Sequence, residues 1–501
     1  MSRYLMGIDS GLTVTKAVIF EPDGRAVASA GIRVPQHLPE PRWVERDIDE
    51  LWAATGEAVR TALQRAGATG DDVIAIAATA HGDGVYLLDD DLRPARRGIV
   101  SLDSRAHRVV ERWNDGPVPQ RALRTTGQVP HVSSPAALLA WVAETEPDVF
   151  ERTRWALACK DVIKLRLTGE VTADPTEAST AFCDVRTQTY SDEAFELYGL
   201  DGARGMLAPV VASTEIAGEV TPAAAELTGL RAGTPVVSGL HDVDASAIGT
   251  GVIRPGQLSI VAGSYSINET VADHPVTDER WMARNFVRPG QWMHMAISPA
   301  SATNLEWFVQ RLTPEQTAAA EASGGDPFAM VTTEVGAILD EPSSVVFLPF
   351  LYGSPEGPAP SATFLGLRGW HHRGHVLRAI LEGIAFNHRW HIDDLRSSFP
   401  VDEARLTGGA ARSPIWSQIF ADSLGLEIIV TEADEAGALG AALCAGVGAG
   451  EYASLDDGVA RAVRDVARFA PAPQGVARLE EAYQTFRRAT EALAEVWPRL
   501  A

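Results

Sequence analysis

Twice along this chain an apolar strand runs into a small polar tip and turns back on a second strand. Residues 4–8 lead to Asp9-Ser10-Gly11 before a β-branched run returns from Val14 to Phe20, and residues 258–262 lead to Gly263-Ser264 before a return through 267–271. A hairpin of the same character half a chain apart reads as an internal repeat: two related α/β domains, each opening on the same device. The alternation continues beyond the hairpins. Apolar runs at 73–80, 236–238, 404–407 and 428–430 fit buried strands. Helical spacing follows the cap Asp47-Ile48-Asp49-Glu50 as far as Leu63, and helices are expected over 245–251, 375–395, 413–424 and 437–449. Strands alternating with helices give an α/β fold. At 501 residues the chain exceeds what one ordinary core organises. The expected division is a first domain over 1–252 and a second over 253–501.

Charge narrows the partners. With 43 basic against 66 acidic residues the formal net charge is −23, a balance that repels nucleic acid and anionic membranes. Nucleotides stay admissible, because they arrive as magnesium complexes at a local site. Cys159, Cys183 and Cys444 are widely spaced with no C-x-x-C, so neither a disulfide framework nor a zinc ribbon is expected, and a reduced, cytoplasmic setting is. Met1-Ser2-Arg3 leads straight into a strand, so no signal peptide is expected, and no stretch has the length of a transmembrane helix.

The polar tips carry the chemistry. In the first hairpin Asp9 and Lys16 bracket the turn, with the hydroxyls of Ser10, Thr13 and Thr15 between them. Such a tip offers backbone N–H groups, hydroxyls and one cation to a phosphate, while the carboxylate holds a magnesium ion through water. A solvated surface hairpin has the same outline. Further strands run out at His81-Gly82-Asp83-Gly84, at Asp103-Ser104-Arg105 and at Gly239-Leu240-His241-Asp242, and strand ends are where open α/β sheets place ligands. The sharpest stretch is Leu406-Thr407-Gly408-Gly409-Ala410-Ala411-Arg412-Ser413-Pro414. Its paired glycines let a nucleotide lie against the backbone. A helix capped by Ser413, with Pro414 at its first position, turns a positive dipole end toward an anion.

Read on through Ile415 to Asp422, this stretch resembles the FGGY family of carbohydrate kinases, in particular its xylulose kinase-like branch. Three further motifs carry the likeness. Ala362-Thr363-Phe364-Leu365-Gly366-Leu367, followed after seven residues by His375 to Glu382, is similar to the second family signature. Gly437-Ala438-Leu439-Gly440-Ala441-Ala442-Leu443 with Gly446-Val447-Gly448 resembles the segment after the nucleotide motif. The hairpin from Asp9 to Lys16 is similar to the first phosphate loop. The resemblance implies two actin-like (ribonuclease H-like) ATPase domains flanking a central cleft. It also implies transfer of the γ-phosphoryl group of ATP, with Mg2+, to a hydroxyl of a small sugar. The implied general base is Asp242, with Asp244 as competitor; a helix N-terminal charge is the plainer reading of Asp244. Asp9, through water to magnesium, joins Thr13 and Lys16 at the phosphates.

His81, Asp103 and Arg105, with Asp242, are implied at the sugar, and Asp83 lies close; a local ion pair of Asp103 with Arg105 is an equal reading. The adenosine side draws on Gly263, Ser264, Asn304, Gly408, Gly409 and Ser413. The acceptor expected is a ketopentose such as xylulose. A small polyol (erythritol, xylitol, glycerol) is the alternative acceptor, and a catalytically weak sugar- and ATP-binding regulator the alternative role. A homodimer is an admitted assembly. Departures from the family pattern gather at the sugar side: Ala80 stands where xylulose kinases place Met, Ser101-Leu102 where they have Trp, and no lysine lies in Pro135-Ala136-Ala137-Leu138. Leu12 stands where relatives carry Thr in the phosphate loop. The histidines His371, His372, His375, His388 and His391 lack zincin or zinc-finger spacing, so a metal is the weaker reading there.

Overall fold

The opening hairpin forms as its alternation requires. β1 (Tyr4–Ser10) pairs antiparallel with β2 (Val14–Phe20), with Asp9 opposite Lys16. β2 pairs in turn with β3 (Ala26–Arg33), and the other edge of β1 runs parallel to β4 (Val73–Ala80). β5 (Ile216–Glu219) and β6 (Pro235–Val237) complete a six-stranded sheet in the order β5-β6-β4-β1-β2-β3. Met6, Ile8, Ile19 and Ile76 from this sheet pack with Leu51, Val59 and Leu63 of the helix Ile48–Ala66 in one buried cluster. That helix starts where its cap predicts: Asp47 accepts from the Asp49 and Glu50 N–H groups at 2.9 and 3.1 Å.

The structure, a computed structural model, describes residues 3–339, 341–355, 357, 359–432 and 434–500. The chain divides into two compact units. Unit 1 comprises Met1–Ile253, Val271–His294 and Glu435–Arg464; unit 2 comprises Arg254–Thr270, Met295–Asp434 and Asp465–Ala501. Compactness therefore does not follow a single cut between 252 and 253. The segment holding the helix Ala436–Gly448 belongs with unit 1 because its alanines and glycines bury nearly every residue of that helix against β1 and the helix Asp242–Gly249.

In unit 2 the second hairpin repeats the first. β7 (Gly256–Ala262) is antiparallel to β8 (Ser266–Ala272) and parallel to a later strand. With β9 (Trp292–Ser298), β10 (Val401–Gly408), β11 (Ile428–Thr431) and β12 (Asp465–Phe469) the order is β9-β8-β7-β10-β11-β12, and the short strand Met282–Asn285 adds a seventh at the β9 edge. The long helix is Arg373–Arg396. Its histidines have structural partners. His372 Nδ1 accepts the Gly374 N–H at 3.2 Å and His375 Nδ1 the His372 N–H at 3.4 Å, so the two imidazoles cap the helix. Glu341 stands close enough to both to share an ion with them, but an Nδ1 that accepts leaves the proton, not a lone pair, on Nε2. His388 lies between Asn268 Oδ1 at 2.8 Å and Ser301 Oγ at 3.0 Å. All three cysteines are buried and free, and among the described residues no helix is long and apolar enough to cross a membrane.

Candidate active site

In unit 1 the site begins at the tip of the first hairpin. Asp9 is half-buried at the tip, and its carboxyl is pushed up to about 6 by desolvation; Lys16 opposes the shift and Glu435 adds to it. Lys16 Nζ donates to Glu435 Oε1 at 3.0 Å and Oε2 at 2.8 Å, so the lysine expected at a phosphate is ion-paired in this structure. The Asp9 carboxylate faces the start of the helix Ala436–Gly448, where a Cβ on Gly437 would stand 2.8 Å from Oδ2. Glycine there leaves a space that an alanine would fill. Thr13 is exposed, and its carbonyl accepts the Val34 N–H at 3.0 Å. The tip is tied from beneath by Arg46, wholly buried, whose Nη2 donates to the Gly11 carbonyl at 3.1 Å and also to that of Leu12.

Asp242 does not end a strand. β6 stops at Val237, and Gly239 (φ 75°) turns the chain where a Cβ would meet the Ala78 carbonyl oxygen at 2.0 Å. The helix Asp242–Gly249 then starts at Asp242 itself. A buried framework fixes this turn. The His241 N–H donates to Thr176 Oγ1 at 2.8 Å, Thr176 Oγ1 donates to Asp174 at 2.8 Å, and Lys160 Nζ stands 3.1 Å from Asp174 Oδ1. The two candidate bases separate clearly. The Asp242 side chain is 38% exposed, that of Asp244 3%. Burial, helped by Asp174, drives the Asp244 carboxyl well above the ordinary range, so it stays protonated in the interior. Asp242 rises to about 7, through burial first and then the nearby Asp9.

A polar chain runs away from Asp242. His241 Nδ1 is 3.2 Å from Asp242 Oδ1, Arg284 Nη1 is 3.3 Å from His241 Nε2, and Arg284 Nη2 donates to Asp83 Oδ1 at 3.0 Å. His241 Nδ1 also accepts the Val243 N–H at 3.4 Å, so the imidazole caps the helix that begins at Asp242. Burial, with Arg284 beside it, lowers His241 to about 3 and keeps it neutral. Arg284 Nε donates to Gln128 Oε1 at 3.0 Å.

Three of the residues expected at the sugar, His81, Asp103 and Arg105, are buried. Asp103 accepts from the Val44 N–H at 2.7 Å and from Arg105 Nε and Nη2, while Arg105 also reaches Glu45 Oε1 at 3.0 Å. The Arg105 guanidinium lies 4.1 Å from the Trp43 ring centroid and 5.0 Å from that of Trp141. This is the ion-pair arrangement, stacked between two indoles. His81 is buried with Nε2 3.1 Å from Tyr86 Oη, and burial lowers it to about 3. Asp83 and Arg284 connect through His241 to the surroundings of Asp242. Asp83 was legible as a polar strand end; Arg284, Gln128, Arg46 and Glu435 were not, since each acts through distant partners that no local motif reveals.

Unit 2 supplies a separate cavity of about 390 Å³, lined by Ala302, Leu305, Glu306, Thr332, Gly409 and Ser413 among others. The expected glycine turn and cap meet here. Gly408 closes β10, and Ser413 Oγ accepts the Trp416 N–H at 3.3 Å at the start of the helix Pro414–Leu424. Gly263 accepts the Ala302 N–H at 3.0 Å, and the Ser264 carbonyl accepts from Thr303 Oγ1 at 3.2 Å, which ties the hairpin tip to the cavity's first wall. Asn304 lies behind that wall: it is fully buried and donates to the Ser301 carbonyl at 3.1 Å. Leu305, Leu381 and Trp416 give the cavity apolar surface, and its size is that of a site for a small organic ligand.

The same chain order recurs in known proteins. Residues 4–249 match the N-terminal domain of the FGGY family of carbohydrate kinases, and residues 258–449 match its C-terminal domain. A probable L-xylulose kinase of Pasteurella multocida is 33% identical over 98% of this chain and 99% of its own length. The L-xylulose/3-keto-L-gulonate kinase of Escherichia coli is 32% identical over 91% of this chain and 90% of its own. The crystal structure of xylulose kinase from Rhodospirillum rubrum superposes with a TM-score of 0.89 at 27% identity, covering 99% of this chain and all of that one. The two α/β units are thus of the actin-like ATPase type and the protein is a sugar phosphotransferase: the chain belongs to the FGGY family of carbohydrate kinases.

Proposed function

We propose that this chain transfers the γ-phosphoryl group of ATP to a hydroxyl of a ketopentose such as xylulose, in the cytoplasm, with Asp242 as general base. The observation that carries the assignment of the base is the contrast between Asp242, open and titrating at about 7, and Asp244, closed and protonated. An acceptor hydroxyl placed against Asp242 gives its proton to the carboxylate as its oxygen bonds to the γ-phosphorus. The bond from that phosphorus to the β-phosphate oxygen breaks, and ADP leaves. His241, which caps the helix start, lies 3.2 Å from the carboxylate, and Asp242 stays unprotonated above about pH 7.

Asp9 suits a hydrated Mg2+: it is an oxygen donor, its desolvation makes the bare carboxylate unfavourable, and the missing side chain of Gly437 leaves room beside it. When bound, the ion would neutralise charge on the phosphates. Thr13 and Lys16 lie on the same tip, and Lys16 exchanges Glu435 for phosphate oxygens when the nucleotide is present. The cavity beside Gly409 and Ser413 takes the adenosine.

The relatives' activities support a ketopentose as the first acceptor class. The test is ADP release in the presence of Mg2+ across ketopentoses, aldopentoses and small polyols. We expect xylulose or ribulose to give the highest kcat/KM. A higher value for erythritol, xylitol or glycerol would move the assignment to polyols, and no stimulation by any of them would move it to a binding or regulatory role.

A further inference from the structure

Asp174 is a wholly buried carboxylate with donors on both oxygens. Lys160 Nζ stands 3.1 Å from Oδ1, while the Thr176 N–H, the Thr176 hydroxyl and the Ser213 hydroxyl reach Oδ2 at 3.1, 2.8 and 2.8 Å. Burial pushes this carboxyl up, but Lys160 and then the two hydroxyls hold it below the ordinary range, so it stays ionised and can only accept. That fixes the Thr176 hydroxyl. Its one proton goes to Asp174, which turns a lone pair toward the His241 N–H, 2.8 Å away. His241 is the N-cap of the helix Asp242–Gly249. An N-cap N–H has no partner within its own helix, and this one is buried, so the Thr176 oxygen satisfies it. The short helix Pro175–Ala178 that carries Thr176 is held in turn by Asn285, whose Nδ2 donates to the Pro175 carbonyl at 3.1 Å.

We propose that Thr176 is a positioning residue for phosphoryl transfer: its hydroxyl, aimed by Asp174, sets where the helix bearing Asp242 begins, and so where the base stands against the acceptor hydroxyl. Earlier in the turn the Gly239 N–H donates to the Ser213 carbonyl at 3.1 Å and the Leu240 N–H to the Ala78 carbonyl at 3.4 Å, but the Thr176 bond is made by the residue next to the base. Ser213 separates this role from general support. Its hydroxyl meets the same Asp174 oxygen at the same distance, yet its link to the turn is a main-chain carbonyl that an alanine would keep. A displaced base slows proton transfer without removing a substrate contact, so the loss falls on kcat and not on KM. The inference rests on Asp242 as the base of the proposed function.

Thr176→Val keeps the branched shape and removes the hydroxyl, Thr176→Ser keeps the hydroxyl, and Ser213→Ala removes the neighbouring donor. These variants and Asp242→Asn are compared with the parent in ADP release with xylulose and Mg2+, and amide hydrogen exchange over residues 239–245 is followed in the same folded proteins. In Thr176→Val we expect kcat to fall about tenfold or more with both KM values within about twofold, and exchange to quicken about tenfold. Thr176→Ser and Ser213→Ala should stay within about threefold of the parent in kcat. A kcat for Thr176→Val near the parent's overturns the proposal, as does an equal loss in Thr176→Ser or Ser213→Ala. If Thr176→Val does not fold, Thr176→Cys, whose thiol is a weak acceptor, is held to the same terms. If the parent turns over no acceptor, exchange decides: an unchanged rate in Thr176→Val overturns the anchor, whereas a faster one leaves it standing and the kinase reading falls. Turnover by Asp242→Asn near the parent's would sink the base assignment, a failure distinct from that of Thr176.

Discussion

Asp242 sits where its charge costs stability, and the cost has a sign that can be measured. Its carboxyl titrates at about 7 in the folded chain against 3.8 for the ordinary side chain. Between those values the native state binds a proton that the unfolded chain has released, so this residue's contribution to stability falls as pH rises through that window. The activity runs the other way, since the base must be unprotonated: kcat/KM should climb about tenfold per pH unit below about 7 and level above it. Asp242→Asn therefore should be more stable than the parent at pH 8, by about 1 kcal/mol once solvent screening of a partly exposed group is allowed for. Chemical denaturation of the two proteins at pH 5 and pH 8 checks this; a gain at pH 5 as large as at pH 8 would contradict it. At this scale the sequence shows the residue but not its state. Asp242 and Asp244 are two positions apart and chemically identical, and only the turn at Gly239 and the helix start at Asp242 expose one and bury the other.

The helix Ala436–Gly448 does more than pack. Its start faces Asp9, and its alanines and glycines let it lie against β1. Gly437→Ala would put a methyl group 2.8 Å from Asp9 Oδ2, so the carboxylate or the helix must move. We expect this variant to raise the Mg2+ concentration needed for half-maximal rate several-fold and to lose about 1–3 kcal/mol of stability to overpacking. Unchanged Mg2+ dependence would show that Asp9 is not confined by this contact. Elements such as this were readable from periodicity, caps and small-residue runs: the hairpins, the cap at Asp47, and the turn at Gly408 with its cap at Ser413 all lie where local pattern puts them. What escaped that reading depends on residues far apart in the chain. Asp83 and Arg284 are joined across 201 positions and Lys16 and Glu435 across 419, and nothing in either neighbourhood announces the other. Asp103 and Arg105 show the converse: as near neighbours they pair with each other, with the guanidinium against Trp43 and Trp141.

Over the whole molecule, a net charge of −23 is compatible with an enzyme of small anionic nucleotides because the relevant charges are local and largely matched. Unit 1 carries Asp242, the first hairpin and the Asp83–Arg284 pair; unit 2 carries the glycine turn and a cavity of about 390 Å³. The family's two domain patterns cover most of the chain, whereas compactness assigns the helix Ala436–Gly448 to the unit of Asp9 and Asp242. The proposed reaction turns on one residue, Asp242, performing one proton transfer. Its most direct test is steady-state ADP release by Asp242→Asn with xylulose and Mg2+, alongside ATP binding by the same protein. Turnover should fall at least about a hundredfold with ATP affinity within about twofold of the parent; turnover within a few-fold of the parent would show that the base lies elsewhere.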